Sequence, residues 1–175
     1  MLLPKERILN TTFELFHKQG YNSTGINQII AEAKVAKASF YQHFSSKENL
    51  CLEFLKIRHQ FWFEELIKFT SKKNNAKEKV ISSFNFLIYM NEKEDFRGCS
   101  FLNILSEIQP ENTKILTCIQ NHKKDLRHYF FEILKEKYVS DHVYLLFESS
   151  IIESQMFKSN ELIEQSKNII NTLIK

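Results

Sequence analysis

The stretch GYNSTGINQIIAEAKVAKASFYQHFSSKENL, residues 20–50, decides the fold. It contains two short apolar-periodic runs with a few small residues between them. Ile26, Ile29, Ile30 and Ala33 fall at three- and four-residue spacing, and Val35 and Phe40 repeat the pattern, with Phe44 closing a small core. The spacing predicts helices over about residues 26–33 and 36–44, with Ser23 or Thr24 capping the first. Helices this short are not stable alone, so they must pack on something else. Two short helices joined by a tight turn read as a helix-turn-helix, whose second helix enters the DNA major groove.

Upstream, Pro4 suits the first turn of a helix, and Ile8, Leu9, Thr12, Phe13 and Phe16 form its inner face up to Gly20, expected as the left-handed residue after the cap. Downstream, Ser45-Ser46-Lys47-Glu48 reads as a capping box opening a long helix over about 46–70. Further helices are expected over about 76–91, 100–108 (ending before Pro110), 112–138, 141–158 and 161–174. That makes an all-α chain of about nine helices. The expected division is a DNA-binding domain over 1–45 and a larger helical domain over 46–175.

Composition supports this reading. The 175 residues are 43% hydrophobic, with 16 Phe, which is enough apolar material for a real core. Three Gly and two Pro are too few for the turns of an all-β fold. The net charge of +3 is modest, but residues 1–50 hold six Lys/Arg against four Glu, while the rest hold 18 against 17. The small excess sits where DNA is expected. Cys51, Cys99 and Cys118 are odd in number and lack CxxC spacing, which fits a reducing compartment. The MLLPKERIL start lacks the apolar run of a signal peptide, and no uncharged apolar stretch is long enough to span a membrane. A cytoplasmic, bacterial protein is expected.

The order and spacing of several segments resemble the TetR family of bacterial transcriptional regulators. These are Phe16…Gly20-Tyr21, Thr24-Gly25-Ile26, Val35-Ala36-Lys37, Ser39-Phe40-Tyr41-Gln42-His43-Phe44 and Ser46-Lys47-Glu48-Asn49-Leu50, within about residues 5–55. Arg97-Gly98-Cys99…Asn103…Glu107 is a second, weaker likeness. Two departures stand in the turn region, Lys34 and Ala38, where the family commonly has glycine. If position 34 needs a positive φ, lysine costs roughly 1 kcal/mol there.

Residue chemistry then assigns candidate DNA contacts. Thr24, Asn27, Tyr41 and Lys47 are expected to position the DNA backbone, and Lys37, Ser39, Gln42 and His43 to read base edges. The remaining 125 residues show no GxGxxG, P-loop, HExxH or GxSxG pattern, no metal cluster and no cofactor motif, so an enzyme is not expected. Aromatic density there is high. The resemblance implies a small-molecule effector among these helices, with Phe61, Tyr89, Phe101, Asn103 and Phe147 as candidate lining residues. Apolar stripes on the last two helices (Leu145, Leu146, Ile152, Met156; Leu162, Ile169, Ile170, Leu173) predict a two-fold homodimer through them. Its recognition helices would lie about 34 Å apart on a palindromic operator. The reading is therefore a repressor released from double-stranded DNA by a small apolar or amphipathic molecule. Two alternatives stay open: regulation through a protein partner, and a thiol at Cys99, near Arg97 and a helix start, that senses electrophiles.

Overall fold

The computed structural model describes residues 2–174, and among them it has nine helices and no strand. They are α1 (Pro4–Gln19), α2 (Ile26–Glu32), α3 (Lys37–His43), α4 (Lys47–Thr70), α5 (Ala76–Lys93), α6 (Ser100–Leu105), α7 (Thr113–Leu134), α8 (Lys137–Phe157) and α9 (Glu161–Leu173). The chain forms two compact units that are not contiguous in sequence. One runs to His59 and takes in Ser100–Gln120; the other holds Gln60–Cys99 and Asn121 onward. The division falls inside α4 and α7, and the expected boundary at residue 45 lies within the first unit.

In the first unit, α1 starts as expected: Pro4 opens it, and the Glu6 carboxylate accepts the Leu3 N–H at 2.8 Å. Its buried face is Ile8, Thr12, Leu15 and Phe16, and it packs on both α2 and α3. Ile29 and Ala33 of α2 and Phe40 of α3 complete the small core with Phe44. Phe16 meets Tyr21 and Phe54 edge-on, with ring centroids 5.5 and 5.3 Å apart.

The ends of α1, α2 and α4 differ from expectation in detail. Gly20 has positive φ (+90°) but an extended ψ of 173°, a region essentially reserved for glycine. Neither Ser23 nor Thr24 caps α2; Gly25 holds the cap position without a side-chain bond. The capping of α4 is shifted by one residue. Ser46, not Ser45, accepts a backbone N–H, that of Asn49 at 3.1 Å, while the Ser45 hydroxyl accepts from the Asn49 side chain. Two adjacent serines make the register ambiguous in sequence. In the turn, Lys34 does take positive φ (+53°), the left-handed conformation that glycine would adopt freely.

The second unit is built on Phe84, Phe86, Phe130 and Phe147, all fully buried, with Leu66, Val80, Leu126, Val143, Ile163 and Ile170. α5, α8 and α9 pack on one another, and the buried Ser150 and Ser166 hydroxyls pair at 3.1 Å between α8 and α9. The largest departure is between α7 and α8. No break was expected before residue 138, yet α7 ends at Leu134 and Lys135 turns the chain with φ +54°. Glu136 then caps α8 by accepting the N–H groups of Tyr138 and Val139. Neither glycine nor proline marks the place, so no local signal announced it. α6 also ends at Leu105, shorter than expected.

Candidate functional site

α3 shows a polar, basic face to solvent because Phe40 is pinned beneath it. Phe40 is fully buried and contacts the rings of Tyr41 and Phe44, with centroids 5.3 and 6.0 Å away. With that residue inward, the helical period leaves Lys37, Tyr41, Gln42 and His43 exposed and Ser39 half-buried. Tyr41 is 46% exposed. Asn27, near the start of α2, is also exposed.

Lys47 opens α4, where the helix dipole adds to its own charge. Its ammonium lies 4.4 Å over the Tyr21 ring and 3.3 Å from the Asn22 carbonyl. Burial pushes the Lys47 pKa below its ordinary value, against weaker pulls upward from Cys51 and Glu107. Burial likewise pushes the Tyr21 hydroxyl up to about 12.

Seven of the eight expected DNA contacts lie in the first unit with their polar ends exposed or half-buried. Thr24 does not offer its side chain. It is fully buried, its hydroxyl donates to the Gly20 carbonyl at 2.7 Å, and its N–H bonds Tyr21 at 3.2 Å. Thr24 therefore holds the α1–α2 turn. Its spacing resembled a contact because a turn-holding threonine and a phosphate-binding one are the same letter.

Sequence reasoning missed a support for this site. Glu107, which follows α6, accepts the Asn22 N–H at 2.6 Å, while the Asn22 side chain donates to the Glu107 carbonyl at 2.5 Å. The two residues are 85 positions apart, so no local pattern could have joined them.

The five expected effector residues are divided between the two compact units. Phe101 and Asn103 belong to the first compact unit; Phe61, Tyr89 and Phe147 belong to the second. Phe101 is only 2% exposed. Phe147 is core: fully buried, with Phe84 and Phe130 rings at 5.2 and 5.1 Å. Phe61 and Tyr89 instead flank the Lys93 ammonium at 4.9 and 5.4 Å. A cavity of about 370 Å³ lies among Lys73, Lys77, Ile81, Asn85 and Asn171, and one of about 190 Å³ among Glu153, Phe157, Leu162 and Gln165. None of the five residues lines either.

The stripe on the last helices is narrower than expected. Leu145, Ile152, Met156 and Ile169 are 47–63% exposed, but Ile170 is fully buried and Leu146 packs on the core. Among the described residues, no group of three or more His, Cys, Asp or Glu is placed to hold a metal, and no helix is long and apolar enough to cross a membrane.

Helical throughout its described residues, with the short α3 packed on α1 and α2 and its polar face exposed, the chain has the architecture of a helix-turn-helix protein. Residues 8–54 match the family described as bacterial regulatory proteins, tetR family. The HTH-type transcriptional regulator QacR of Staphylococcus aureus is 40% identical over 75 residues, 43% of this chain and 40% of that protein. The Staphylococcus aureus biofilm operon icaADBC HTH-type negative transcriptional regulator IcaR is 24% identical over 182 residues, 94% of this chain and 91% of that protein. A crystal structure of a TetR-family transcriptional regulator from Streptomyces coelicolor superposes with a TM-score of 0.87 at 22% identity, covering 97% of this chain and 87% of the other. Residues 8–54 are thus similar to the tetR family of bacterial regulatory proteins, and the described residues as a whole share the fold of a TetR-family structure. It spans 54% and 40% of the length of the first curated relatives it matches, and these relatives are transcriptional regulators rather than enzymes.

Proposed function

We propose that this protein is a DNA-binding transcriptional repressor in the cytoplasm, acting as a homodimer on a palindromic operator and released by a small apolar or amphipathic effector. The observation that carries it is the exposed row Lys37, Tyr41, Gln42 and His43 on α3, held outward by the buried Phe40. In this reading Lys37, Ser39, Gln42 and His43 read base edges, and Asn27, Tyr41 and Lys47 bind phosphates. Residues 1–45 form the DNA-reading part, and 46–175 the effector and dimer part. The exposed Leu145, Ile152 and Met156 on α8 and Ile169 on α9 pair with their copies across a two-fold axis. The effector prefers a conformation with α4 displaced, and only that difference in affinity drives release.

The test is fluorescence anisotropy with the DNA upstream of the protein's own gene, across a salt series. Lys47→Ala should weaken binding to all sequences alike and lower the salt slope by about 1; Gln42→Ala or Lys37→Ala should change which sequence is preferred. Affinity that never exceeds that for random DNA, there or after selection from a random library, would remove the reading.

A second reading adds a thiol input. The Lys123 ammonium lies 3.6 Å from the Cys99 sulfur and 2.7–2.8 Å from the Glu148 carboxylate. The helix start near Cys99 contributes little, since α6 has six residues. A Cys99→Ala variant that still releases DNA on quinone treatment rules this input out.

A further inference from the structure

The turn before α3 carries a strained residue and a tether. Lys34 sits at φ +53° without being glycine. The N–H groups around it are tied back into α2: Ala33 to Ile29 at 2.8 Å, Lys34 to Ala31 at 3.2 Å and Val35 to Ile30 at 3.2 Å. The Lys34 carbonyl is not. No backbone N–H among the described residues reaches it. The group that does is the Arg7 guanidinium on α1, whose Nη1 donates to it at 2.9 Å across 27 positions of chain.

Arg7 holds this bond at some disadvantage to itself. Its Nε is buried and has no hydrogen-bond partner. A buried donor left unpaired is uncommon enough in folded proteins to need a reason. A charged donor on a carbonyl forms a stronger bond than a neutral pair would, and the planar guanidinium sets its direction as well as its length.

We propose that Arg7 is a positioning residue for DNA recognition: by tying the Lys34 carbonyl to α1, it sets the direction in which α3 leaves the turn, without touching DNA. α3 begins only three residues later, at Lys37. Its seven residues span about 10 Å, so a tilt of about 10° at the turn moves the far end by roughly 2 Å. Hydrogen bonds to base edges do not survive such a shift, whereas attraction to phosphates largely does. Arg7 therefore governs specific binding more than general affinity. The inference rests on the DNA-binding reading above.

The experiment uses the full chain and two duplexes, one enriched by the wild-type protein from a random 30-base-pair library and one of unselected sequence. Arg7→Met, which keeps the apolar stem, should weaken binding to the enriched duplex at least ten-fold. The unselected duplex should change less than two-fold, and the salt slope should stay the same. Adding Lys34→Gly should return at least half of the loss on a logarithmic scale, because glycine holds positive φ without a tether. In the free protein, the amides of Lys34 and Val35 should exchange with deuterium at least ten-fold faster in Arg7→Met. Should that variant not fold, Arg7→Leu, which also removes every donor, carries the same comparison. Equal weakening on both duplexes with a salt slope lower by about 1 would make Arg7 a phosphate contact and overturn the proposal. Unchanged amide exchange would overturn the tether itself. Exchange needs no DNA, so a failure to enrich any duplex would count against the DNA-binding reading and leave the tether to be judged separately.

Discussion

Replacing Gly20 and Gly25 by alanine, one at a time, makes the same chemical change five residues apart and should have very unequal consequences. Gly20 has φ +90° and ψ 173°, where a Cβ costs about 1–3 kcal/mol in backbone strain. The new methyl would also stand 2.5 Å from one Glu107 carboxylate oxygen and 3.1 Å from its carbon. That carboxylate must withdraw, weakening its 2.6 Å bond to the Asn22 N–H, a charge-assisted contact of about 1.5–3 kcal/mol. Part of the second cost is recovered as the freed groups meet water, so a total of about 3 kcal/mol is expected. For a chain this long that lowers the melting temperature by roughly 6–12 °C. At Gly25, φ is −88° and nothing lies within 4 Å of the added carbon. Alanine there loses a little as a cap and gains a little from a stiffer unfolded chain, for a net change of about 0.5 kcal/mol or less. Urea denaturation followed by circular dichroism measures both. The Gly20→Ala/Glu107→Ala double variant should lose less than the sum of its singles, since the collision is gone. Equal losses at the two glycines, or strict additivity in the double, would refute the reasoning.

Phe40→Ala empties a fully buried site under α3 and should cost about 3–5 kcal/mol in urea denaturation, abolishing sequence-specific binding while phosphate attraction persists. Alkali should destabilise the fold. Burial raises Cys51 from 9.0 and Tyr21 from 10.0, each to about 12, so above pH 9, and more steeply above 10, the unfolded chain gives up protons that the folded one keeps. Stability is then full below pH 9 and falls towards pH 12 by about 1.4 kcal/mol per pH unit per group; Cys51→Ala should flatten the part between pH 9 and 10. Leu145→Glu with Ile152→Glu should give a folded monomer by sedimentation velocity at micromolar concentration, with helix content unchanged; a persistent dimer would move the interface elsewhere.

What could be read directly from the chain was whatever is written within one or two helical turns. Apolar spacing placed α1, α2 and α3 to within a residue or two, Pro4 and Gly20 marked the ends of α1, and Phe40 was correctly inward, which set the exposed row on α3. The same local logic failed where two residues competed for one role, as Ser45 and Ser46 did at the start of α4. It failed again where a turn was made without turn residues, at Lys135 and Glu136.

Tertiary structure decided which side chains are used inward. Thr24 bonds Gly20, Phe147 is core, and Ile170 turns in while Ile169 stays out. It also supplied long-range bonds of the first unit, Arg7 to Lys34 across 27 positions and Glu107 to Asn22 across 85. Periodicity reports which face of a helix is apolar. It does not report how the helix is rotated against its neighbours, or which distant polar group satisfies a carbonyl left open by a turn, because those are set by packing among segments far apart in the chain.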